Sequence, residues 1–193
     1  MNHYLNEEEY LKVTTYLADK NERKGYGWNI RNMKPMPGEL YINKEIETGG
    51  IVNLLDGETN NVRGVTNFDK NTLVEGRVFV ISSVSFASAI EDAGKAVHGV
   101  DYSFDNVPAS LRFSYLVVKQ NDEVLMKLPI NSILNGYKDG EKYRDLGAFS
   151  LIVPSQPIEV NIEYPNGTKI TLPDGKSLYS SVFFRGFETY LKR

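Results

Sequence analysis

The chain of 193 residues contains no cysteine and only two histidines, His3 and His98. The absence of cysteine excludes disulfides, thiolate metal ligands and cysteine nucleophiles, but it does not indicate in which cellular compartment the protein is found. Neither histidine has a partner at the spacing of a zinc site, and no Gly-x-Ser-x-Gly segment offers a serine nucleophile. We therefore expect no enzymatic activity, no cofactor and no metal.

The sequence also lacks an excess of positive charge and a long apolar run. Lysine and arginine number 22 against 25 aspartates and glutamates, a net charge of -3. This balance gives no evident sign of a basic surface that would bind nucleic acid. The longest apolar-leaning stretch, residues 78–90, is interrupted by four serines, whereas a membrane-spanning helix needs roughly 20 apolar residues. No membrane segment is expected.

Near the amino end, residues 5–20 carry apolar side chains close to helical spacing, at Tyr10, Leu11, Val13, Tyr16 and Leu17. A possible cap at Asn6 and the acidic residues that follow it favour a helix start. The pattern predicts a short amphipathic helix. The β-branched residues within 13–16 favour a strand as the alternative.

Residues 21–71 are rich in glycine and asparagine, which is typical of turns. Only residues 39–42 and 50–55 are apolar enough for strands, so this segment offers little core of its own. We predict that residues 1–71 form the helix and an extended polar arm. Residues 21–71 should make few contacts with the rest of the chain and many with neighbouring chains.

From residue 72 onwards, strand patterns follow one another closely. Residues 111–119 and 123–128 predict a hairpin, and residues 158–164 alternate strictly between apolar and polar, which puts Ile158, Val160, Ile162 and Tyr164 on a core face. Short helical turns are expected near 88–96 and 131–134. About seven to nine strands predict an all-β domain over residues 72–193, an antiparallel β-sandwich or jelly roll.

Three aromatic residues lie in the polar arm, where they have little apolar context: Tyr26, Trp28 and Tyr41. Such residues are frequent anchors of protein interfaces. They are our candidate assembly contacts. Packing onto the protein's own sandwich is the alternative, and carbohydrate stacking on Trp28 is a third reading.

Residues 105–112, 149–158 and 162–167, with the hairpin between the first two, resemble β-sandwich structural proteins of bacteriophage particles. The resemblance covers roughly residues 100–193 and brings no catalytic residue. It implies a capsid or decoration protein in a symmetric oligomer, whose partners are copies of itself and other virion proteins. The expected location is the virion, assembled in the host cytoplasm. The alternative is a carbohydrate-binding or glycan-active β-sandwich module, for which only Trp28 and the abundant acidic residues argue.

Overall fold

A computed structural model describes residues 3–136 and 141–191. In these residues three α-helices and eight β-strands follow one another along the chain. Their bounds, in chain order, are α1 His3–Lys24, β1 Met36–Ile46, β2 Ile51–Asn53, β3 Arg77–Asp92, α2 Ala109–Arg112, β4 Tyr115–Gln120, β5 Glu123–Pro129, α3 Ile130–Leu134, β6 Arg144–Ile152, β7 Ile158–Glu163 and β8 Lys176–Tyr190. Short 3-10 turns occupy Ile30–Asn32 and Val97–Gly99.

The strands form two antiparallel sheets of four. The first sheet has the order β1-β8-β3-β6 and the second has the order β2-β7-β4-β5. Strands at mirrored places in the chain are hydrogen-bonded to each other, β1 to β8, β2 to β7, β3 to β6 and β4 to β5. The polypeptide therefore resembles a long hairpin that has folded over onto itself. The predicted antiparallel β-sandwich is confirmed.

The main core lies between the two sheets, and β7 shows how the sequence builds it. Ile158, Val160 and Ile162 are fully buried in the core, and Tyr164 beyond the strand end joins them. Glu159 lies on the opposite face of the strand and is exposed. The predicted facing of this strand is confirmed, because residues two apart share a face of a sheet.

Helix α1 packs on the outer face of the first sheet. Val13 and Leu17, one helical turn apart, are fully buried against Val78 and Val80 of β3, and Met33 belongs to the same cluster. The helix prediction is confirmed and the strand alternative for residues 13–16 is wrong. Spacing of four residues brings Val13 and Leu17 onto one helix face.

The expectation that residues 21–71 make few contacts with the sandwich is wrong. Strand β1 pairs with β8 along all of its residues, and Leu40, Val52 and Phe68 belong to the main core. One of the asparagines that suggested a loose arm, Asn67, hydrogen-bonds the edge of β1. The Asn67 side chain accepts from the backbone N–H of Tyr41 at 2.8 Å and donates to the Glu39 carbonyl at 2.7 Å.

Three local predictions have different outcomes. The predicted β4–β5 hairpin is confirmed, and its turn lies at Asn121 and Asp122, both of which have positive φ, as a type I′ turn requires. Its first strand begins at Tyr115 and not at residue 111, since residues 109–112 form α2. The helical turn predicted near 88–96 is wrong, since residues 88–92 are the last part of β3. The turn predicted at 131–134 is confirmed as α3.

Strand β3 contains a register shift between Ile81 and Ser83, opposite Gly186 of β8. A Cβ atom built on Gly186 would lie 1.8 Å from the Val80 carbonyl oxygen. The backbones of the two central strands therefore approach each other at a point that only glycine tolerates.

Candidate assembly surfaces

Two of the three predicted assembly contacts, Tyr26 and Trp28, lie together just after α1. Their rings are stacked, with centroids 4.4 Å apart and planes 12° from parallel. The Asn21 side chain fixes this segment, since it accepts from the Trp28 N–H at 2.8 Å and donates to the Trp28 carbonyl at 3.1 Å. Trp28 is partly buried against the cluster between α1 and the first sheet.

This stack determines which aromatic surface remains accessible. One face of the Trp28 indole is covered by the Tyr26 ring, and the indole also packs against the protein itself. Tyr26 is exposed. A sugar or a protein partner would therefore meet the Tyr26 ring before it met Trp28.

The third predicted contact, Tyr41, lies apart from the other two, on the outer face of the first sheet. Its ring stacks on Phe183 of β8 at a centroid distance of 5.7 Å, and its hydroxyl accepts a hydrogen bond from the Gly64 N–H at 3.1 Å. All three aromatic residues thus make contacts within the chain. Their role in assembly stays a prediction.

Beside Tyr41, the outer face of the first sheet carries a polar network. The Tyr143 hydroxyl donates to Glu39 at 3.0 Å, and the Arg185 guanidinium lies 3.7 Å from the Tyr143 ring centroid. Arg185 also contacts Glu39 and Glu141, at 3.4 and 3.3 Å. Burial, followed by the hydrogen bond to Glu39, raises the pKa of Tyr143 to about 12. The polar groups here find their partners within the chain.

The outer face of the second sheet is different, because no helix among the described elements packs over it. Hydrogen-bonded neighbours place its outward side chains in three rows. The first row is Ile51, Glu163, Tyr115 and Pro129, the second is Asn53, Asn161, Val117 and Lys127, and the third is Glu159, Lys119 and Val124. Ile51 is 71% exposed and Tyr115 is 42% exposed. Phe113, just before β4, is also exposed.

Charge is divided across this face. Both acidic residues, Glu159 and Glu163, belong to β7, whereas Lys119 belongs to β4 and Lys127 to β5. Lys127 pairs with Glu163 at 2.8 Å, and its ammonium lies 5.1 Å from the Tyr115 ring centroid. The face is therefore acidic along β7 and basic along β4 and β5, which both lie on the same side of β7.

Sequence reasoning missed Ile51, Phe113 and Tyr115. A signal for two of them exists, since Ile51 precedes Val52 and Tyr115 precedes Leu116. Adjacent apolar residues in a strand point to opposite faces, so one of each pair must leave the core. Which member faces outward depends on the register of the whole sheet.

Other types of site have less support in the described part of the chain. Residues 3–136 and 141–191 contain no group of three or more histidine, cysteine, aspartate or glutamate side chains that could hold a metal ion. An open groove of about 480 Å³ lies between the β1–β2 connection and the segment before β8, with Glu47 and Lys169 among its lining residues. It gathers no catalytic set of side chains.

None of the helices in the described ranges combines the length and apolar composition needed to cross a membrane. Neither a protein-family model, nor a curated protein, nor a solved structure matches the chain.

Proposed function

We propose that this chain is a structural component of a phage particle, a capsid or decoration protein that acts by assembling with copies of itself and with other virion proteins. The strand order carries the proposal. In two four-stranded sheets, β1 to β4 pair with β8 to β5 in reverse sequence, which is how a long hairpin rolls into a jelly roll. Viral capsid domains use this architecture, as do lectin domains and cupins.

A second observation supports assembly in particular. Ile51, Phe113 and Tyr115 are large apolar residues that lie exposed on or beside one sheet face. Clustered apolar exposure marks interaction surfaces more often than single exposed residues do. The location that follows is the virion, with assembly in the host cytoplasm.

The alternative function is a carbohydrate-binding or glycan-active module, and one observation favours it. A cavity of about 150 Å³ lies beside the exposed Tyr26 ring, lined by Lys20, Lys24 and Glu123 among others. Aromatic rings next to charged side chains can hold a sugar. The covered indole face of Trp28 weakens this reading, because it removes the larger stacking platform.

Mass spectrometry of particles purified through a density gradient tests the proposal. The chain should be present at a fixed copy number relative to the other virion proteins in every particle fraction. An abundant protein of the producing cells serves as the control and should be lost during purification. If the chain is lost together with that control, the proposal is wrong. Binding to a glycan array by the chain, abolished by Tyr26→Ala, would favour the alternative.

A further inference from the structure

We infer that the outer face of the second sheet binds the same face of a second copy of this chain. The inference rests on the proposed function, which requires contacts between copies, and it assigns those contacts to one surface. The two copies are related by a two-fold axis parallel to the strands, located between β7 and β4. A symmetric dimer of this kind uses one patch that must be complementary to itself.

The charges on the face meet that requirement. Two acidic and two basic side chains share it, with the acids on β7 and the lysines on β4 and β5. Rotation about the stated axis lays β4 of one copy over β7 of the other. Because Lys119 and Glu159 occupy the same row, Lys119 of each copy then lies opposite Glu159 of the other.

The charges also disfavour the other simple arrangement. An axis in the plane of the interface but perpendicular to the strands would lay β7 over itself in the reverse direction. Glu159 and Glu163 are at opposite ends of the outward row of β7, so this axis would bring acid against acid. Like charges placed together across an interface disfavour association. The axis parallel to the strands is the one that matches the charge pattern.

Apolar contacts add to the charge pairs in the same arrangement. The first row ends at Ile51 of β2 on one side of the sheet and at Pro129 of β5 on the other. The two-fold axis brings Ile51 of each copy over the β5 end of the other. Among the side chains whose exposure the structure describes, Ile51 is the most exposed large apolar one. Packed sheets lie about 10 Å apart, close enough to cover it.

Two single charge reversals and their mixture test the inference. Wild-type protein should sediment as a dimer at micromolar concentration. Lys119→Glu and Glu159→Lys should each raise the dimer Kd at least about 100-fold, because each creates two like-charge contacts. An equimolar mixture of the two variants should recover a dimer, since every contact in the mixed pair again joins a lysine to a glutamate. Loss of fold within one chain cannot produce recovery on mixing.

Lys12→Glu and Glu8→Lys are the matched controls. They change net charge by the same amounts within an exposed ion pair on α1, and both should remain dimeric. A wild-type monomer, or a mixture that stays monomeric while each variant keeps its thermal stability, would overturn the inferred interface. The proposed function is judged separately by the presence of the chain in particles, so a particle protein with a monomeric soluble form would contradict only the interface.

Discussion

The side-chain amide of Gln120 forms two hydrogen bonds with the backbone of Val153. The Val153 N–H donates to Oε1 at 2.9 Å, and Nε2 donates to the Val153 carbonyl at 2.9 Å. Gln120 ends β4 in the second sheet, and Val153 follows β6 in the first. The buried Gln120 side chain thus connects the two sheets at one end of the sandwich, where the backbone hydrogen bonds within each sheet do not join it to the other.

Replacing Gln120 with leucine should destabilise the fold. The substitution keeps the approximate size but leaves the buried N–H and carbonyl of Val153 without these partners. We expect the free energy of unfolding in urea to fall by about 2 to 4 kcal/mol. Gln156→Leu is the control, because that side chain is exposed, and it should change stability by less than about 0.5 kcal/mol. Equal losses in the two variants would contradict the role assigned to Gln120.

Gly186→Ala should be among the most damaging single-methyl changes in the chain. The added Cβ would lie 1.8 Å from the Val80 carbonyl oxygen, and backbone atoms of a central strand cannot move aside without breaking the ladder. A loss of about 3 kcal/mol or more in unfolding free energy is expected. Gly57→Ala meets no atom within 4 Å, so it provides the comparison. Wild-type stability of Gly186→Ala would show that the two central strands are not in this register.

The ion pair of Arg77 and Glu188 should contribute more than an exposed pair. Their side chains are only 14% and 20% exposed and approach to 2.7 Å, whereas Lys24 and Glu123 are 47% and 55% exposed. Glu188→Gln should therefore lower the free energy of unfolding by about 1 to 3 kcal/mol, and Glu123→Gln by less than about 1 kcal/mol. Chemical denaturation of the two variants measures the difference. The reverse ranking would be inconsistent with the burial of the first pair.

Stability should fall at alkaline pH. Burial, followed by nearby Glu123, raises the pKa of Tyr16 to about 12, and the pKa of Tyr143 is raised to the same value. An ordinary tyrosine has a pKa near 10, so the folded state holds these phenolic protons more tightly than the unfolded state does. Their contribution is complete below pH 10 and is lost as pH rises towards 12. Thermal melts should show this loss, and Tyr143→Phe should reduce its slope; an unchanged slope would contradict the assignment.

The sequence was sufficient to predict β7, whose residues alternate between apolar and polar, and the hairpin whose turn lies at Asn121 and Asp122. It was not sufficient to predict the position of β1 in the sheet. Its polar residues include Asn43 and Glu45, and its partner β8 is at the far end of the chain, so no local pattern reveals the pairing. The composition of residues 21–71 suggested a loose arm. The hydrogen bonds that satisfy the polar groups of this segment join residues far apart in the sequence, so composition does not reveal them.

The candidate surfaces divide in the same way. Tyr26 and Trp28 could be selected from the sequence because aromatic residues in a polar segment need a packing partner. In the structure the two rings stack on each other. The outer face of the second sheet could not be predicted, since it requires the register of four strands from distant parts of the chain. Lys119 and Glu159 become neighbours only through the β4–β7 pairing.

The native mass of the complex that carries this chain shows whether the protein acts by assembly. Extracts of cells that produce the protein would be fractionated without denaturation, and the mass of the species containing the chain would be measured. A structural assembly protein should be found in complexes holding several copies of the 21.8 kDa chain and in particles of much greater mass. A single species of 21.8 kDa at every concentration, with none of the chain in particles, would contradict the proposed role in assembly.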